Sequence, residues 1–252
     1  MKRKISLLLS LLLLVCSLTA CDSDDEAVNV EATPTVAVEG YYDTKLAAEA
    51  YCQAKGYDMV ECSTSEDAVV FVENGKYDYV VLDEFTTIVP EDYGLHFVEV
   101  CEYSIEYCLG ISPEKQALLS EINESITSLK SDGTIDSVVN NSFNGVENDF
   151  SVTGGNELRI LCYPFIDGRI YYDDTGNVCG ADVDVMRAIC EDLGYTPVFV
   201  PAEYNELFQM LQDGEGDLIL MVDASSDDYL NECLFSEVYL EKNFNVYESN
   251  LK

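Results

Sequence analysis

Positive charge is scarce in this sequence. Across 252 residues, 13 Lys and Arg stand against 48 Asp and Glu, a formal net charge of −35. Three of the 13 (Lys2, Arg3 and Lys4) sit at the extreme N-terminus, so the remaining chain has 10 basic residues against 48 acidic ones, a net −38. Such a surface repels phosphate backbones, which excludes nucleic acid as a partner and leaves solubility as the role of the charge. Histidine is reduced to His96. No Ser/His/Asp set can be assembled, and His96 itself reads as structural. Carboxylate pairs such as Asp83 and Glu84 carry no information in a chain with so many acids, so the reading is of a protein that is not an enzyme. No two cysteines are spaced C-x-x-C, which removes a zinc ribbon or a thioredoxin-type motif. No motif calls for a metal or a cofactor. Beyond residue 20 no stretch is long and apolar enough to span a membrane.

What is present begins with an export signal. Lys2-Arg3-Lys4 is followed by the uncharged, Leu-rich run Ile5 to Ala20, shorter than the roughly 20 residues of a spanning helix. It ends Leu18-Thr19-Ala20-Cys21, a string that resembles a bacterial lipobox. That resemblance implies a signal peptide over 1–20, lipidation of Cys21 as the mature N-terminus, and an acidic tether over 21–34. The expected location is the extracytoplasmic face of the cell membrane, held by lipid. Eight cysteines then remain, at 52, 62, 101, 108, 162, 179, 190 and 233. Most lie in apolar runs, where a free thiol acts as a small hydrophobe. The alternative is one or more disulfides, with Cys101 and Cys108 the first pair to test.

With 48% hydrophobic residues the chain can fill one large domain or two lobes of about 100 residues each. From Thr35 strands and helices alternate. Strands are expected at Thr35–Val38, Met59–Cys62 and Tyr79–Leu82. Helices are expected from Asp43 to Lys55 and from a Ser63/Glu66 capping box to Gly75. The uninterrupted apolar run Tyr79–Leu82 suits a strand buried on both faces. The second half repeats the order. Strands are expected at Leu158–Cys162, Val198–Val200 and Leu218–Met221, with helices from Asp182 to Leu193 and from Glu203 to Asp213. Gly56-Tyr57, Gly75 and Asp78 match Gly194-Tyr195, Gly214 and Asp217, with the same spacing from Gly to Asp in both halves. Between the repeats, Ser112-Pro113 reads as a helix start. Leu118, Ile122, Ile126 and Leu129 form its stripe, Gly133 ends it, and a second helix covers Ile135–Phe143. Residues 146–155 read as a linker. Two α/β units in one chain imply two lobes, each a mostly parallel sheet with helices on both faces.

Three strings carry a family resemblance. Gly180-Ala181-Asp182-Val183-Asp184-Val185 is similar to G-F-D-V-D-L. Asp217 through Met221, with Phe235-Ser236, is similar to D-A-I-I…F-S-D. Ser128-Leu129-Lys130-Ser131-Asp132-Gly133-Thr134-Ile135 is similar to E-L-K-A-D-G-T-Y. They resemble the bacterial extracellular solute-binding proteins of family 3, receptors for polar amino acids in ABC importers. The resemblance implies a two-lobed, periplasmic-binding-protein-like (type II) clamshell. It also implies a small polar, amino-acid-like solute captured by hinge closure and an ABC transporter permease as partner. A degenerate or sensory module without a transport role is the alternative. The order of the strings departs from the family. Residues 35–145 resemble its C-terminal part (lobe two plus closing helices) and 156–252 its N-terminal part (lobe one). A circular permutation and a fragment of a tandem receptor both fit this order.

The resemblance also nominates ligand-binding residues. Asp83 falls on the family's ammonium-binding acid and Tyr204 on its stacking aromatic. Tyr163-Pro164-Phe165 is similar to its Y-P-P-F loop, making Tyr163 and Phe165 candidates. Tyr171 and Tyr172, after an apparent insertion, are candidates for the cleft wall. The T-x-x-R segment falls on Ser226 to Tyr229, so Tyr229 stands where the carboxylate-binding Arg belongs. The G-T-T string falls on Tyr41-Tyr42-Asp43, which nominates Tyr42. Arg169, in the loop nearest the expected cleft, is the one substitute for the missing Arg fork. With that fork lost, a solute with a cationic or neutral polar head, held by Asp83, Asp43 and Tyr faces, fits better than an ordinary α-amino acid.

Overall fold

The computed structural model describes residues 32–40, 42–151, 154–166, 168–224 and 232–251; of Tyr42 it describes the backbone alone. The leader, the tether up to residue 31, Cys21, Ser226 and Tyr229 lie outside the described residues. Among those described, no helix is long and apolar enough to cross a membrane.

The first lobe opens with β1 (Thr35–Glu39), α1 (Tyr42–Lys55), β2 (Asp58–Cys62), α2 (Ser65–Glu73) and β3 (Tyr79–Asp83). The β-strand alternation of side chains sorts the apolar residues to the two faces. Val36, Val38 and Val81 pack with Ala47, Ala48 and Tyr51 of α1, while Ala37, Val80 and Leu82 pack with Ala68, Val69 and Val72 of α2. Val80, Val81 and Leu82 are therefore all buried, as the continuous apolar run requires. The sheet continues through β4 (Leu95–Val100), and β5 (Ile105–Ile111) then leaves it.

Two helices follow, α3 (Gln116–Ser131) and α4 (Thr134–Phe143). The second lobe repeats the first with β6 (Glu157–Cys162), a small ribbon of β7 (Tyr171–Tyr172) and β8 (Val178–Cys179), α5 (Ala181–Leu193) and β9 (Thr196–Pro201). It closes with α6 (Leu207–Gln212), β10 (Leu218–Asp223), β11 (Leu234–Phe235), β12 (Leu240–Lys242) and β13 (Phe244–Ser249). Leu158, Ile160 and Leu218 face α3 and α5, whereas Leu161 and Ile219 face Leu207 and Leu211 of α6.

Sheet one has the order β2-β1-β3-β13-β4 and sheet two the order β11-β5-β10-β6-β9, with β12 also on β5. The expected parallel arrangement holds for three strands of each sheet: β2, β1, β3 and β9, β6, β10. The rest is antiparallel because each lobe gives a strand to the other. β5 inserts beside β10, and β13 inserts between β3 and β4. The two crossovers, Val100 to Ile105 and Lys242 to Phe244, run side by side. The Cys101 N–H donates to the Phe244 carbonyl at 2.8 Å.

The repeated aspartates have one job. The Asp78 carboxylate accepts from the Thr35 N–H at 2.8 Å, and the Asp78 N–H returns to the Thr35 carbonyl. The Asp217 carboxylate accepts from the Arg159 N–H at 2.7 Å, and the Asp217 N–H returns to the Arg159 carbonyl. Each Asp thus locks the start of the third parallel strand to the first. Asp217 also holds Lys115 at 2.8 Å and Arg159 Nη2 at 3.0 Å. Burial raises the cost of its charge, but the Lys115 and Arg159 hydrogen bonds outweigh this and keep its carboxyl below the usual 3.8.

Three element boundaries differ from expectation. Thr64, not Ser63, caps α2, its side chain accepting from Asp67 N–H at 3.0 Å. α3 starts at Gln116 rather than at Ser112-Pro113, because Ser112 N–H is held by the Asp217 carbonyl and Lys115 closes a turn onto Ser112. The Glu203–Asp213 helix is a 3-10 turn, Tyr204–Glu206, followed by the shorter α6. Residues 146–151 are tied down: the Asn148 side chain donates to Ser142 and Asp184, and Phe150 packs on the core. All eight downstream cysteines are free thiols, six of them buried. Cys101 and Cys108 are not paired, and burial pushes each thiol up to about 12.

Two measurements follow from the exchanged strands and the locking acids. Phe244 is fully buried at the start of β13, and Phe244→Ala should cost about 3–5 kcal/mol. Urea unfolding should stay a single transition, coincident by circular dichroism and tyrosine fluorescence, since neither sheet is complete alone. Asp217→Asn should cost about 1–3 kcal/mol at pH 7. Because the folded pKa is depressed, the wild-type advantage exists above the unfolded value near 3.8 and vanishes as pH falls through the folded one. Urea titrations at pH 7 and below pH 3 measure both ends.

Candidate functional site

The carboxyl ends of β1, β2 and β3 open onto a cleft of about 670 Å3. Glu39 and Asp83 are the last residues of β1 and β3, and Thr64 and Ser65 lie at the start of α2 just past β2. Gly168 from the loop after β6 and Tyr171 of β7, with Phe143 from the end of α4, supply the other wall. Both halves of the chain therefore line it. This is the side of a parallel sheet where ligands sit, since strand ends and helix N-termini converge there. Each acid is already engaged. Glu39 accepts from Ser65 Oγ at 2.5 Å. Asp83 Oδ1 accepts from Phe85 N–H at 2.6 Å, and its Oδ2 lies 3.6 Å from Lys242 Nζ.

The corresponding ends of β6 and β9 carry aromatics. Tyr204, Tyr163, Phe165 and Tyr172 form a row with successive ring centroids 6.2, 5.1 and 6.1 Å apart. Tyr204 and Phe165 are exposed, at 51% and 61%. Beneath Tyr163 and Tyr204 lies a narrow apolar cavity of about 20 Å3, room for one water-sized group, floored by Leu207, Phe208 and Met221. Met221 has φ 64°, alone among described non-glycine residues in the left-handed region. It sits where the β10–β5 register shifts, between Ile219 and Val222. Such strain persists only where packing over-determines it and concentrates at functional sites.

The structure thus brings Tyr163, Phe165 and Tyr204 together and sets Asp83 in the wider cleft. Tyr42 opens α1. Arg169 stands elsewhere than a carboxylate fork requires. It is buried at 3% exposure, and its Nε and Nη2 donate to the two Asp182 oxygens at 2.6 and 2.7 Å. The fork is filled by the chain's own carboxylate, and Nη1 has no hydrogen-bond partner among the described residues. The guanidinium lies over the Tyr107 ring at 4.1 Å and near Phe85 at 5.4 Å. Tyr239 OH completes the shell by donating to Asp182. Burial works against the Arg169 charge, but the Asp182 carboxylate outweighs it and holds the group above its ordinary value. Burial, and then Asp182, push the Tyr239 hydroxyl far above its usual range. Gly180, with φ 120°, permits this pairing, since a Cβ there would collide with the Arg169 carbonyl.

Lys242 is the residue that sequence reasoning missed. Its side chain, 6% exposed, donates to Asp43 Oδ2 at 2.7 Å. Tyr107 OH also donates to Asp43 Oδ2, at 3.4 Å. Nothing in the polar string Glu241-Lys242-Asn243 distinguishes it from a surface lysine. Its burial follows from its place at a crossover, a long-range property. His96, on the edge strand β4, contacts Asn250 and Glu248. No group of three or more His, Cys, Asp or Glu is arranged to hold a metal among the described residues.

Residues 164–250 match the model of the bacterial extracellular solute-binding proteins, family 3. Among solved structures, the chain is similar to a phosphate-binding protein of a phosphate ABC transporter from Streptococcus pneumoniae (9% identity, 86% of this chain and 89% of that one, TM-score 0.47). It is also similar to the second substrate binding domain of a protein assigned to an amino acid ABC transporter from Streptococcus pneumoniae (12%, 85% and 85%, 0.47). A third is an ancestral cationic amino acid solute binding protein (12%, 86% and 82%, 0.43). No curated protein matches the chain at a significant level.

The filled fork makes a direct prediction. Arg169→Met leaves a buried, uncompensated Asp182 and should cost about 3–5 kcal/mol, whereas Arg169→Met with Asp182→Leu should recover much of that loss. Urea denaturation of the single and double variants measures the coupling. Additive losses would show that the pair is not a unit.

Proposed function

From the premise that residues 164–250 are a family 3 solute-binding segment, we propose that the chain captures a small polar solute of amino-acid-like size between its lobes and delivers it to an ABC importer. The observation that carries this reading is the cleft at the carboxyl ends of β1–β3, walled by both halves of the chain. The row Tyr204–Tyr163–Phe165–Tyr172 on the second lobe supports it. Two crossovers joined side by side give a hinge about which the lobes close on the solute. The leader and Cys21 put the chain on the extracytoplasmic face, tethered by lipid and acidic residues to the membrane that holds the permease. The activity is binding, not catalysis: the lone His96 is engaged at a sheet edge. The segment order is a circular permutation of the family's, supported by the reciprocal strands that each segment lends the other.

Binding is tested by thermal shift and calorimetry of the full chain against amino acids, amides, polyols and sugars. A solute at 100 times its Kd should stabilise by about 2.7 kcal/mol. Tyr163→Ala and Tyr204→Ala should each weaken binding by about 1 kcal/mol, the worth of one aromatic face. If no small solute shifts the melting temperature, the transport reading fails and a module without a transport role takes its place.

A further inference from the structure

Lys242 stands at the last position of β12, where the chain leaves sheet two for sheet one. Its ammonium crosses to the first lobe, 2.7 Å from Asp43 at the start of α1 and 3.6 Å from Asp83 at the end of β3. The rings of Phe244 and Tyr107 lie 5.3 and 5.9 Å from it. It is one of two buried cations among the described residues. A cation between two carboxylates, backed by aromatic rings, is the arrangement that recognises a solute ammonium. Here the chain supplies that ammonium itself.

Resting on the solute-binding reading, we propose that Lys242 is a built-in counter-ion to the cleft acid Asp83, so that the cleft takes an uncharged polar solute rather than an ammonium or a zwitterion. Asp83, its outer carboxylate, lines the cleft, and both of its oxygens are engaged, by Phe85 N–H and by Lys242. A second ammonium brought to Asp83 would meet the first at close range. An anionic group fares no better. Glu39 and Glu66 also line the cleft, and among the described residues no basic side chain does. What the lining offers instead is hydrogen bonding, from the hydroxyls of Thr64, Thr86 and Thr87.

The test uses the full chain, Lys242→Ala, and Lys242→Ala with Asp83→Asn, probed at 1 mM with n-propylammonium, glutamine, arginine, acetamide and erythritol. In the wild type, the three charged probes should leave the melting temperature unmoved. Lys242→Ala should bind n-propylammonium at least tenfold more tightly than the wild type does, and the added Asp83→Asn should abolish the gain. An amine or amino-acid probe that stabilises the wild type in an Asp83-dependent manner overturns the proposal. So does an alanine variant indifferent to n-propylammonium. Should Lys242→Ala not fold, native acetylation of the wild type decides: Lys242 should be spared where exposed Lys76 is modified, and equal rates overturn the proposal. If no uncharged probe binds while Lys242→Ala gains the amine, solute capture fails and the counter-ion stands.

Discussion

Every other feature of this molecule depends on the reciprocal loan of two strands. β5 belongs by sequence to the first lobe and hydrogen-bonds in sheet two; β13 belongs to the second lobe and hydrogen-bonds in sheet one. An antiparallel strand inserted beside a parallel trio satisfies backbone groups along the third strand that would otherwise be an open edge. Neither lobe closes its sheet without the other. The core reflects this: one continuous cluster runs from Val36 and Val81 through Tyr107 and Leu109 to Ile160 and Leu220, across both sheets. The cleft lies where it does because the loans put the carboxyl ends of both parallel trios on the side of the crossovers.

The crossovers are held by polar chemistry in an otherwise apolar place. Asp43 receives Lys242 and Tyr107, Tyr107 lies under Arg169, and Arg169 is gripped by Asp182, which Tyr239 also contacts. Removing charges from water is costly unless each finds a partner. The partners here come from α1 and β3 on one side and β5, β12 and α5 on the other. The Lys242–Asp43 pair joins the two segments and forms only when they are mutually placed as they are, whereas Arg169–Asp182 is made within the second.

Much of the fold was legible because local chemistry repeats. The glycine that ends a helix and the aspartate three residues on recur as Gly75/Asp78 and Gly214/Asp217, and the structure gives both aspartates the same strand-locking bond. The uniformly apolar run at Tyr79–Leu82 signalled burial on both faces. Strands β4, β5 and β13 were not read, because their partners lie over a hundred residues away, and neither were β7, β8, β11 and β12, whose length is two or three residues. Site residues divide in the same way. Aromatics following strand ends, Tyr163 and Tyr204, were placed by local position. The fate of Arg169 depended on Asp182 and Tyr239, and that of Lys242 on Asp43. No spacing rule links positions 43 and 242.

The scarcity of cations makes their placement informative. Of the basic residues described, Lys45, Lys55 and Arg187 pair with acids at partly exposed positions, where such pairs contribute little, and Lys115 and Arg159 reach from the surface to the buried Asp217. Arg169 and Lys242 are buried, and both lie at the junction of the lobes. In a chain of net −35 Lys242 stands between Asp43 and Asp83, and Arg169 stands against Asp182. Two fixed cations relieve the repulsion among these acids without exposing a basic patch to solvent. The same pairs occupy Asp43, Asp83 and Asp182 within the chain itself. On the proposed reading, holding the junction and choosing the solute are consequences of one set of ion pairs.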